Sequence, residues 1–185
     1  CDVFSKIWDV NKEDLLSSFD GASFHFPPEV LKKGYFRNEW FHTDQRLAKN
    51  DFDCIQSWIT GYDVDEGDAS LSFLEGSHKF HGDFSKDFKM EDHKDFKKDW
   101  FKINDKQVQY FIDKGCERRC VTCKAGSIVL WDSRLMHCGK EPLKNRKNKK
   151  FRNVVYICMM TIPYYPNYII FKFIIYINKF SRFTI

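Results

Sequence analysis

Trp40-Phe41-His42-Thr43-Asp44-Gln45 is the stretch on which the reading of this chain turns. In an extended segment residues i and i+2 point to the same side, so His42 and Asp44 address one point while Thr43 faces away. A second histidine, His137, follows far downstream in Trp131-Asp132-Ser133-Arg134-Leu135-Met136-His137-Cys138-Gly139. Two imidazoles and one carboxylate fill one face of an octahedral ferrous ion and leave the opposite face open for a chelating keto acid and dioxygen. The third ligand then has to come from a distant strand. An iron-dependent oxygenase is the chemistry this pattern suggests.

The composition is compatible with that chemistry. With 185 residues, 43% hydrophobic and 17% aromatic, the chain is long enough to bury a sizeable core in one domain. Its formal charge of +4 is mild, with 26 acidic residues interspersed among the basic ones, so no extended nucleic-acid footprint is present. Lys140 to Arg152 is the local exception; the run Lys140 to Lys150 within it reads as a solvated loop, with attraction of an anionic substrate such as a CoA ester as the minority reading. Seven cysteines, an odd number with no apolar leader at the start, point to a reducing compartment, and the cytoplasm is the default expectation. The chain begins at Cys1 rather than Met, which leaves room for a preceding segment carrying a targeting signal.

Along the chain, Asn11 reads as an N-cap for a helix through Leu16, and Pro27-Pro28 closes a short unit, so that residues 1–36 form a helical support. Cys54 to Thr60 reads as a strand, and the acidic turn at 63–68 leads into a second strand, Ala69 to Leu74, as in a meander. Gly82 to Lys102 is a charged insertion anchored by Phe84, Phe88, Phe96, Trp100 and Phe101, a candidate lid. Strands resume at 119–123, 127–131 and 154–160. Many short strands with helices toward the front and middle indicate a mainly β sandwich or jelly roll.

Taken with Leu74-Glu75-Gly76-Ser77-His78-Lys79 and the segment around His137, the His42 motif resembles the phytanoyl-CoA dioxygenase family over about Ile7 to Pro163. The resemblance implies a double-stranded β-helix (a cupin-like jelly roll) with flanking helices over residues 1–163. It also implies Fe(II) and 2-oxoglutarate as cofactors, and hydroxylation of a small or lipid-like substrate by dioxygen with release of succinate and CO2. The metal ligands are then His42, Asp44 and His137. The remote carboxylate of 2-oxoglutarate calls for a buried arginine fork. Arg152 is the first choice, because it opens the strand after the distal histidine, and Arg146 is the reserve. Gln56, Trp131 and Ser133 are expected to line the same cavity.

Competing readings follow from the same residues. His78 suits a turn, and His81 and His93 are expected at the surface. Cys116, Cys120, Cys123 and Cys138 lack paired knuckle spacing and read as free thiols rather than a zinc cluster. Residues 164–185 form a divergent Ile/Tyr/Phe/Lys-rich tail, too short and too interrupted by Lys172 and Lys179 for a membrane span. Together with the missing start, this tail supports the alternative of a catalytically degenerate jelly roll acting as a binding or scaffold module. Neither reading names a substrate.

Overall fold

Alternation along the strands decides which side chains meet. In β5 (Ser70–Leu74), Leu71 and Phe73 project to one face and Ser70, Ser72 and Leu74 to the other. Leu71 is buried with Trp58, Val64, Trp131, Leu135 and Val154, with Phe73 packed against them. Leu74 is buried in a different cluster with Phe41, Phe84, Phe101, Phe111, Met136 and Cys138. The same split recurs in β9 (His137–Lys140), where Cys138 joins the second cluster and His137 takes the opposite face. The face that carries His137 can therefore sit on a sheet whose other face packs Leu74 and Cys138 into an apolar cluster.

The computed structural model describes residues 1–18 and 20–162; the tail expected at 164–185 lies outside them. The described residues form two compact units, residues 21–156 and residues 1–18 and 20 with 157–162. In the larger unit one sheet has the order β2 (Ala22–His25), the first half of β10 (Arg152–Thr161, of which 152–156 belong to this unit), β4 (Ile55–Thr60), β8 (Ile128–Asp132). The other has the order β6 (Phe101–Lys102), β3 (His42–Thr43), β9, β5, β7 (Arg118–Cys120). The assigned pairs are antiparallel, which is the jelly-roll arrangement expected from the sequence. Residues of α3 (His81–Asp87) and α4 (Asp105–Asp113) cover the apolar face of the second sheet through Phe84, Val108 and Phe111. Helix α4 starts on a capping box, with Asn104 and Gln107 satisfying each other's backbone N–H groups at 3.0 and 2.9 Å. In the smaller unit, α1 (Asp2–Trp8) buries Phe4, and the Trp8 indole donates to the Met159 carbonyl at 2.8 Å.

Several expectations need correction. The helix expected from Asn11 is a single 3-10 turn, Lys12–Asp14; Leu15 and Leu16 instead form β1 (Leu15–Ser17), because pairing with Met159 to Thr161 offers their backbone a ladder. Pro28 opens α2 (Pro28–Leu31), where its missing N–H costs nothing, rather than closing a unit. Strands β4 and β5 do not form a meander, since each belongs to a different sheet. His81 is not at the surface: it is 1% exposed, beneath the start of α3. Among the described residues no helix is long and apolar enough to cross a membrane.

Candidate metal centre

His42 and His137 are direct partners in the β3–β9 ladder, and their ring centroids lie 4.4 Å apart. Asp44 follows β3 and brings its carboxylate between them, with Oδ1 3.5 Å from His42 Nε2 and Oδ2 3.3 Å from His137 Nε2. One ligand atom from each of the three residues lies within 4.8 Å of the others. The two histidines are oriented alike from behind. His137 Nδ1 sits 2.9 Å from the Leu135 carbonyl and His42 Nδ1 3.5 Å from that of Trp40, in each case two residues upstream. With Nδ1–H donated to the backbone, the Nε2 lone pairs are left for the centre.

Electrostatics favour the same state. Burial, reinforced by the neighbouring His137, pulls the His42 imidazolium down to about 4, so the ring is neutral at pH 7. For Asp44, burial alone would raise the carboxyl, but the His137 and His42 rings and the Gln56 amide outweigh it and keep it ionised. A neutral His42 imidazole and an ionised Asp44 carboxylate, with the His137 ring on the same face, form a donor set that suits a ferrous ion.

Gln56 lies beside the triad, its Nε2 donating to Asp44 Oδ2 at 2.8 Å, so it fixes the carboxylate's rotation. Trp131, opposite Gln56 in the β4–β8 ladder, brings its ring to 5.3 Å from His137. Ser133 takes a supporting place. Its Oγ donates to Gln45 Oε1 at 2.8 Å, and its carbonyl accepts from Thr43 Oγ1 at 3.0 Å, so Thr43 faces away from the centre and braces the motif.

The two arginines separate. Arg146 is buried, bonded to Glu29 at 2.8 and 3.2 Å and to Asp68 at 3.3 Å, and its charge is already matched. Arg152 makes no ion pair with a described residue. On β10 it shares a face with Val154, which packs in the cluster of Trp58 and Trp131.

Trp58 escaped the sequence reading. Two residues after Gln56 on β4, it is 1% exposed, and its indole N–H and that of Trp131 are buried with no hydrogen-bond partner among the described residues. Stepping by two from Gln56 along the strand was the available signal. Buried donors of this kind suit a ligand with acceptor oxygens. Trp40 was missed likewise: it stacks on His42 at 4.7 Å and 11°.

The family model described as phytanoyl-CoA dioxygenase (PhyH) matches residues 23–147, well over half of the chain and the whole span from β2 to the distal histidine. The chain belongs to the phytanoyl-CoA dioxygenase family. The family's cofactors are Fe(II) and 2-oxoglutarate, for which the His-Asp-His set provides the metal donors. A relative from Aspergillus versicolor, "Ava biosynthesis cluster protein O", is 29% identical over 163 residues, covering 86% of this chain and 50% of the relative. The chain therefore spans half the length of that family relative. AviO1 from Streptomyces viridochromogenes Tue57 has a similar fold, with a TM-score of 0.52 at 17% identity over 89% of this chain and 57% of AviO1. EvdO2 from Micromonospora carbonacea var. aurantiaca, solved with 2-oxoglutarate, gives 0.51 at 16% identity over 85% and 56%.

Proposed function

We propose that this chain carries the catalytic core of an Fe(II)- and 2-oxoglutarate-dependent oxygenase that hydroxylates a small organic substrate. The single observation that carries the reading is the pairing of His42 with His137 across β3 and β9, with both Nε2 atoms turned toward Asp44. Bound there, Fe(II) with 2-oxoglutarate supplies dioxygen activation coupled to loss of CO2 and formation of succinate. His42, Asp44 and His137 hold the metal, and Gln56 keeps the Asp44 carboxylate aimed at it. Arg152 receives the remote carboxylate of the keto acid. It lies toward the Thr60 end of β4, as the bond from Gly61 N–H to the Asn153 carbonyl shows, while Gln56 marks the metal end. Four strand residues separate those ends, about 13 Å, which a five-carbon diacid and an arginine side chain span together. Trp58 and Trp131 offer their unpartnered N–H groups along that path and exclude water from it.

Turnover supplies the test. Iron-loaded protein given 2-oxoglutarate and oxygen should form succinate slowly even without substrate, and His137→Ala should abolish this. Succinate formation that is indifferent to His137→Ala would refute the reading and favour the scaffold alternative.

A further inference from the structure

We propose that Trp100 is the residue on which the substrate stacks and that Lys102 pairs with an anionic group on it, so that the substrate is a planar unsaturated ring bearing a carboxylate or similar anion. This inference rests on the metal-site reading above and names the substrate class for it.

The argument begins with the register. Lys102 of β6 stands directly opposite His42, and His42 directly opposite His137, so the three share one face of the sheet. Phe101 takes the other face and is buried in the apolar cluster. Trp100, one residue earlier, is 46% exposed, and its indole lies 5.6 Å from the His42 ring. A large aromatic surface kept in water at the mouth of a polar centre contributes little to the core, and it offers a ready platform for a flat ligand.

Its position is also held firmly. Asp99, next to Trp100, is paired with Arg46 at 2.7 Å, and Arg46 lies two residues beyond the ligand Asp44. Nearby, Ala48 N–H donates to the Phe96 carbonyl at 3.2 Å. The loop carrying Trp100 is thus linked to the loop that follows Asp44 by one exposed ion pair and one backbone hydrogen bond. The cations here differ in one respect. Lys98 is matched by Asp95 at 2.5 Å, whereas Lys102 has no ion pair with a described residue. An unmatched ammonium beside an exposed indole selects an anion attached to a ring, and an extended alkyl chain would leave the stacking face unused.

The test uses the full chain labelled with 5-fluorotryptophan, the Trp100 fluorine signal being the one absent from Trp100→Phe. The probes are naphthalene-2-carboxylate, naphthalene-2-carboxamide and cyclohexanecarboxylate, titrated without iron. Naphthalene-2-carboxylate should shift the Trp100 signal saturably, Trp100→Ala should weaken its binding about tenfold, and Lys102→Gln should weaken the carboxylate but leave the carboxamide unchanged. An unmoved Trp100 signal, or an equal response to cyclohexanecarboxylate, would overturn the proposal. Keto-acid chelation at iron with no Trp100 shift would overturn the stacking proposal alone. A Trp100 shift without keto-acid chelation would overturn the oxygenase reading alone.

Discussion

Gln56 and Asp44 are joined by a 2.8 Å hydrogen bond from the glutamine amide to Oδ2, which fixes the one anionic ligand of the centre from a strand of the opposite sheet. The proposed metal site thus draws on both layers of the jelly roll: β3 and β9 carry the histidines, and β4 orients the carboxylate.

That dependence makes Gln56→Ala informative. Losing a partner that orients a ligand typically costs 10–100-fold in metal affinity, so the variant should bind Fe(II) about 10- to 100-fold more weakly while folding normally. Calorimetric titration of the anaerobic protein, with circular dichroism as the fold control, checks this. An unchanged affinity would mean that the Gln56 amide has no part in aiming Asp44.

Arg146 and Arg152 should fail in opposite ways. Removing Arg146 as Arg146→Met deprives the largely buried Glu29 of its paired cation, while Asp68 keeps Lys150 at 3.0 Å, and breaking the Arg146–Glu29 pair should lower stability by about 3 kcal/mol. Arg152→Met should leave stability nearly unchanged and abolish 2-oxoglutarate binding. Urea denaturation and 2-oxoglutarate titration of both variants separate the two roles.

Acid should weaken the fold through His81. Its ring is 1% exposed, neither nitrogen makes a well-formed hydrogen bond, and burial pulls its pKa from 6.5 to about 4 against smaller opposing pulls from the Gln45 backbone and Asp132. The unfolded chain therefore binds the proton first, so stability is full above about pH 6.5 and falls as the pH drops toward 4. The ring accounts for about 3 kcal/mol of that fall, at 1.36 kcal/mol per pH unit. His42 acts with the same sign. Urea denaturation of metal-free protein between pH 4 and 7 should show a shallower slope for His81→Gln than for the parent.

Much of the centre was legible in the sequence because a strand's period of two is rigid: His42 and Asp44 could share a face only if Thr43 did not, and Thr43 indeed bonds away, to Ser133. The need for a distant partner strand followed from the three-donor face of the proposed metal site, and β9 brings His137 opposite His42. The backbone carbonyls that orient the rings were not legible, since any residue provides one. Arg146 and Arg152 could not be told apart, because the carboxylates that occupy Arg146, at Glu29 and Asp68, come from distant parts of the chain. Leu15 and Leu16 were misread for a similar reason: their ladder partners lie at the far end of β10, and local propensity gives way to tertiary pairing. His81 followed a polar turn that looked exposed, and its burial at the start of α3, near the Gln45 backbone, Arg134 and Asp132, came only with the tertiary fold.

The most direct measurement is anaerobic addition of Fe(II) and 2-oxoglutarate, read as the visible charge-transfer absorption of a metal-chelated keto acid. The parent protein should develop the band at one equivalent of iron, His42→Ala should lack it, and Arg152→Met should need far more 2-oxoglutarate to reach it. Folded, iron-loaded parent protein without that band, or a band that survives His42→Ala, would contradict the account.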